Sequence, residues 1–155
     1  QDKNTKHFAA HGGKVIMSNH KSFYFDMTYS QYPLANTYKF SPKKYGITDK
    51  NCMLGVEGET WTEWIDSFSK LQFHQHPRME ALSEVAWTPE EQRDFKEFLG
   101  RYRAYKSVLK PLGIHFAADK IAMPKNLLKR GDVCRKFRCG DPDLEFKENN
   151  RLKEY

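Results

Sequence analysis

Residues 53–64 read MLGVEGETWTEW. In an extended conformation, this stretch puts alternate side chains on opposite faces. Gly55, Glu57, Glu59, Trp61 and Glu63 share one face; Leu54, Val56, Gly58, Thr60 and Thr62 share the other. Carboxylates beside an indole make a poor hydrophobic core, because an unpaired buried carboxylate is costly. They suit a water-facing rim or a polar ligand. Carboxylates accept hydrogen bonds from hydroxyls, and an indole offers an apolar wall. A sugar, with hydroxyls at its edges and C–H bonds on its faces, matches that pair of surfaces. An ordinary edge strand with a half-buried tryptophan fits the same residues.

Working outward, the run KVIMS at 14–18 is β-branched and apolar, the pattern of a buried strand. The residues before it, 4–11, read as the last turns of a helix that Gly12-Gly13 ends. After it comes NHKSFYFDMTY at 19–29, where Tyr24 and Asp26 share a face if the chain stays extended. Residues 31–51 form a long connection with little periodicity, and 52–54 enter the second strand. Residues 67–75 read as a short link open to a helical conformation. Pro77 sits near the first turn of a helix with Met79, Leu82, Val85 and Ala86 on one apolar face. Thr88-Pro89-Glu90-Glu91 reads as an N-cap, a proline at N1 and a capping glutamate at N3. Phe95, Phe98, Leu99, Tyr102, Leu109 and Leu112 continue that helix, which Pro111 and Gly113 stop. Residues 114–117 suggest a short extended piece, and 119–155 an irregular polar tail. Two strands do not make a stable sheet alone. The order suggests neighbouring parallel strands of an α/β protein, and no internal repeat supplies the others.

The chain has 155 residues, room for one domain with a real core. Its 30% charged and 14% aromatic residues argue for a folded chain rather than a disordered one. The net charge of +6 permits acidic partners without specifying one, and no basic-aromatic interleaving suggests nucleic acid. No apolar run is long enough to span a membrane. Of the three cysteines, only Cys134 and Cys139 lie close together. Their spacing fits a local disulfide or two plain thiols better than a zinc site. His74 and His76, two apart, make a weak metal pair, so no metal or cofactor is expected.

Three blocks in order carry a resemblance: Tyr24-Phe25-Asp26 after the first strand, GVEGETWTEW at 55–64, and HPRMEALSEVAW at 76–87, with YKFSP at 38–42 between the first two. Together they resemble the C-terminal part of family 20 glycoside hydrolases, the β-N-acetylhexosaminidases, over about residues 6–117. The resemblance implies an α/β fold, a fragment of a (β/α)8 TIM barrel. Residues 14–18 would be its seventh strand and 52–60 its eighth, each with its helix. Residues 1–118 would be this barrel segment and 119–155 a polar basic tail or the start of an incomplete region. Barrel enzymes place their sites at the C-terminal ends of the strands, where Tyr24, Asp26, Trp61 and Glu63 fall.

Family chemistry is substrate-assisted: the sugar's 2-acetamido oxygen attacks the anomeric carbon, with retention. By resemblance, Tyr24 orients the acetamide, Asp26 and Glu63 accept hydrogen bonds from sugar hydroxyls, and Trp61 forms an apolar floor. The family's catalytic Asp-Glu pair belongs to the fourth strand, and this sequence contains no adjacent Asp-Glu. The segment alone is therefore expected to be inactive. The implied partners are an N-acetylhexosamine glycan and the remainder of the same barrel, and the implied location is outside the cytoplasm. A non-catalytic carbohydrate-binding relative and a small basic interaction protein are the competing readings. Arg78 and Glu84, in the third block, are expected to tie their helix to neighbouring elements. Glu57 and Glu59 depart from the commoner family wording and leave their role open.

Overall fold

The computed structural model describes residues 2–123 and 142–154. Cys134, Cys139 and the Arg130-Gly131-Asp132 tripeptide lie outside them. Among the described residues, helix α1 (Asp2–Ala10) leads into strand β1 (Val15–Met17). Short helices α2 (His20–Phe23) and α3 (Leu34–Tyr38) precede strand β2 (Met53–Val56). Then come α4 (Phe68–Gln75), α5 (Arg78–Trp87), α6 (Phe95–Leu109), α7 (Asp119–Ala122) and α8 (Pro142–Leu152). Gly12, at φ 83°, closes α1 in the left-handed conformation that glycine adopts most readily.

The two strands pair in parallel, with Val15 opposite Met53, Ile16 opposite Gly55 and Met17 opposite Val56. β2 therefore spends one residue more than β1 over this span, a bulge. The bulge breaks the strict alternation read from the sequence. Leu54 is exposed, whereas Val56, assigned to the same face, packs against the core. Regular strand ends at Val56, so residues 57–64 are not one continuous strand. Ladder-like hydrogen bonds persist to Glu59: Glu57 N donates to Met17 O (3.1 Å) and Glu59 N to Phe23 O (2.9 Å).

Two apolar clusters hold the helices to this pair. One gathers Met17, Phe23, Phe25, Phe40, Ile47 and Val85 under the strands. The other gathers Tyr29, Leu34, Tyr38, Phe73, Phe98 and Phe116 between α3, α4 and α6. α5 lies between them and buries Arg78, Ala81 and Val85. The apolar face expected at Met79, Leu82, Val85 and Ala86 is therefore displaced: Met79 and Ala86 are exposed. A guanidinium can replace an apolar residue inside because backbone carbonyls satisfy it, as described below.

Thr88-Pro89 does not start α6. Pro89 is extended (ψ 140°) and leads a single 3₁₀ turn, while Glu90 accepts a hydrogen bond from Ser41 Oγ (3.0 Å). Asp94 caps α6 instead, accepting from Glu97 N (2.9 Å). α6 ends at Leu109, leaving Leu112 exposed. Residues 114–117 are not a strand; Ala117 N donates to His76 O (2.9 Å). The described part of the expected tail is not irregular. α8 returns to the body, where Asn149 is buried, donating to Phe116 O (3.1 Å) and accepting from Ala118 N (2.7 Å).

Gly58 marks the closest approach of the second strand's extension to the core. A β-carbon there would meet Phe25 Cε2 at 2.8 Å and Leu82 Cδ2 at 2.9 Å. Gly58→Ala should therefore cost about 1–3 kcal/mol, the usual range for overpacking, read as a lower urea midpoint. An unchanged midpoint would mean that Phe25 and Leu82 move aside freely.

Candidate functional site

Because the strands are parallel, β1 and β2 finish at the same edge. Past β1 the chain makes the α2 turn, then returns beside the extension of β2. Tyr24 and Glu59 form a parallel bridge, and Phe25 N donates to Glu59 O (2.7 Å). This local pairing brings the two sequence blocks together. The rings of Tyr24 and Trp61 lie 6.5 Å apart at 40°. Trp61 is 51% exposed, so its indole is an open apolar surface rather than a core residue.

The charges are arranged around the tyrosine. Desolvation first, then the carboxylates of Asp26, Glu59 and Glu63, push the Tyr24 hydroxyl above the usual phenol range. It is therefore a protonated donor at neutral pH. Asp26 is buried, and its Oδ1 has no hydrogen-bond partner within the protein. Burial is the largest cause pushing its carboxyl up, and Glu63 adds to it. Its own amide, Arg78 and His20 pull it down. A buried acceptor without a partner, two residues from Tyr24, is a polar group that calls for a donor. Glu63 is exposed at the rim. A cleft of about 270 Å³ opens beside it, lined by Thr62, Trp64, Ile65, Asp66, Lys70 and Asp143.

All four predicted residues thus gather at one edge, and the structure adds others. Glu59, undecided in the sequence, accepts from Ser18 Oγ and sits against Tyr24. Glu57 is exposed and pairs through its backbone only to β1. The His20 ring packs against Tyr24 at a tilt of 37° with centroids 4.6 Å apart, and its Nδ1 meets the Tyr32 hydroxyl at 3.1 Å. Nothing in the spacing of His20, Tyr24 and Tyr32 announces that cluster; only the α2 turn and the following loop create it.

Behind the site, Arg78 is fully buried. It donates to the carbonyls of Phe25 (2.8 Å), Met27 (2.7 Å) and Tyr32 (2.7 Å). Glu84 accepts from Arg101 (2.6 Å). Both residues tie α5 to its neighbours, as the sequence suggested. Burial, reinforced by Arg78, holds the His74 imidazole down to about 3, so it is neutral, and its Nδ1 lies 3.1 Å from Phe25 O. His76 pairs with Glu80 instead (2.7 Å). Among the described residues no cluster of three or more His, Cys, Asp or Glu is placed to hold a metal ion. None of their helices is long and apolar enough to cross a membrane.

Comparison with known proteins places this edge in context. The family model described as glycosyl hydrolase family 20, catalytic domain, matches residues 1–90. A β-N-acetylhexosaminidase of Cellulomonas fimi is 28% identical over 127 residues, covering 73% of this chain and 25% of the relative. Among solved structures, Streptomyces plicatus N-acetyl-β-hexosaminidase in complex with Thio-NAglucal aligns with a TM-score of 0.67 at 24% identity. That alignment covers 74% of this chain and 26% of that one. The family 20 exo-β-N-acetylglucosaminidase from Vibrio harveyi, in complex with N-acetylglucosamine, gives a TM-score of 0.66 at 22% identity. It covers 76% of this chain and 21% of that one. The chain spans about a quarter of the length of these relatives. These neighbours are TIM-barrel enzymes, and the strand pair with its helices is a fragment of that barrel. The matched residues include all three sequence blocks and both strands, and they make up more than half of the 155; the chain belongs to glycosyl hydrolase family 20.

Proposed function

We propose that this chain forms the last two strands of a β-N-acetylhexosaminidase barrel and supplies one wall of its sugar site. On this reading residues 1–118 are the barrel segment and 119–155 are appended to it. The exposed Ile16 and Leu54 of the strand pair meet the remaining strands of the barrel. The observation that carries the proposal is the meeting of the Tyr24 and open Trp61 rings at the strand edge, with the unpartnered Oδ1 of Asp26 two residues on from Tyr24.

Tyr24 donates to the acetamido oxygen of a terminal N-acetylhexosamine and holds it in line with the anomeric carbon. That oxygen attacks, the glycosidic bond breaks, and the leaving oxygen takes its proton from a carboxylic acid elsewhere in the barrel. Water then opens the cyclic intermediate with overall retention. Asp26 and Glu63 accept hydrogen bonds from ring hydroxyls, and Trp61 covers the acetamide methyl and the pyranose face. The segment alone binds one side of the sugar and does not hydrolyse it, because it contains no adjacent Asp-Glu pair.

Glu63→Gln in the complete enzyme tests the wall. The amide keeps the shape but weakens a charge-assisted hydrogen bond that exists in ground state and transition state alike. The expected loss is about 1.5–3 kcal/mol, much of it in KM, on an aryl N-acetyl-β-glucosaminide. Wild-type kinetics for this variant would remove Glu63 from the site.

A further inference from the structure

Residues 25–33 form neither helix nor strand, yet Phe25, Asp26, Thr28 and Tyr29 are buried. Buried backbone needs partners wherever secondary structure does not provide them. Here two side chains of opposite charge provide them. The carbonyls of Phe25, Met27 and Tyr32 accept from Arg78 of α5. The amides of Tyr29 and Ser30 donate to the two carboxylate oxygens of Glu145 of α8, at 2.7 and 2.9 Å. The Arg78 guanidinium lies 3.7 Å over the Tyr29 ring, whose hydroxyl donates to His76 O (3.0 Å).

We propose that Glu145 is a positioning residue for the sugar wall: from α8 it grips the loop that carries Asp26. The proposal rests on the reading of Asp26 as a ligand for a sugar hydroxyl. Glu145 reaches Asp26 by two routes. One is the backbone, since its two hydrogen bonds lie three and four residues beyond Asp26. The other is charge, since Glu145 and Asp26 both act on the buried Arg78. A buried cation with only carbonyl acceptors needs a counter-charge. α8 lies outside the residues that match the family model, so this grip comes from the chain's C-terminal region. Asn149 anchors α8 independently of Glu145, so losing the carboxylate leaves the helix in place.

The test uses Glu145→Ala, Glu145→Gln, Asp26→Asn and the double variant Asp26→Asn/Glu145→Ala in the complete enzyme. Amide exchange across residues 27–32 is followed by mass spectrometry, and kcat/KM is measured on an aryl N-acetyl-β-glucosaminide. Glu145→Ala should speed exchange at this segment roughly 10- to 100-fold, as expected when hydrogen bonds to a charged group are lost. It should also lower kcat/KM about 10-fold or more in the wild-type background, but less than about 3-fold when Asp26 is already Asn, the signature of coupled residues. Glu145→Gln keeps one acceptor oxygen and should recover part of both effects. Unchanged exchange would overturn the proposal, and so would equal activity losses in the two backgrounds, which would make Glu145 merely structural. Asp26→Asn with wild-type kcat/KM would instead remove the sugar-wall reading itself, a result distinct from either.

Discussion

Arg78→Met is expected to lower the free energy of unfolding by about 3–5 kcal/mol, the range for removing one partner from a buried charged network. Methionine fills the volume of the arginine stem, so a cavity contributes little. The loss comes from the carbonyls of Met27 and Tyr32, left without their donor, and from that of Phe25, which keeps only His74 Nδ1. It comes also from Glu145 and Asp26, left without their buried cation. Arg78→Lys should recover only a minor part, because one ammonium cannot span three carbonyls as a planar guanidinium does. Chemical denaturation followed by tryptophan fluorescence reads both variants. A loss below about 1 kcal/mol for Arg78→Met would show that water replaces the guanidinium at little cost.

The second large effect falls on chemistry rather than stability. Tyr24→Phe should leave folding nearly unchanged, since the tyrosine is only half-buried and its ring contacts with His20 and Trp61 survive. On the proposed reading, in which Tyr24 donates to the acetamido oxygen and aligns it, the variant should lower kcat of the complete enzyme by roughly 10²-fold. The contrast with Glu63→Gln, whose loss lies largely in KM, separates orientation from uniform binding. A Tyr24→Phe enzyme with kcat near wild type would return Tyr24 to a packing role.

The parts of this fold legible in the sequence are those set by local chemistry. The apolar run before Ser18 and the apolar entry to β2 announce strands, and Gly12-Gly13 announces a helix end. The place of the candidate site was legible because its four side chains follow the strand ends in sequence, and the roles assigned to them rest on the family resemblance. What was not legible depends on tertiary partners. Nothing local signals that β2 bulges at Leu54, since the extra residue is set by pairing with β1. The face of α5 is displaced because Arg78 finds carbonyls 46 to 53 positions earlier in the chain, in the 25–32 loop, and periodicity within the helix carries no sign of them. Thr88-Pro89 carries every local mark of a helix start, but Glu90 is engaged by Ser41 and the start moves to Asp94. α8 escaped notice because Phe146 is a lone aromatic anchor against Phe73, and the rest of the hold comes from polar side chains, Glu145 and Asn149.

The most direct test is a crystal structure of the complete barrel with N-acetylglucosamine bound. The Tyr24 hydroxyl should lie within about 2.6–3.2 Å of the acetamido oxygen, the reach of a working hydrogen bond. Asp26 Oδ1 and the Glu63 carboxylate should each accept from a ring hydroxyl, and the Trp61 ring should lie against the acetamide methyl. A sugar bound with Asp26 Oδ1 still unpartnered and Tyr24 and Trp61 out of contact would contradict the assignment of this wall.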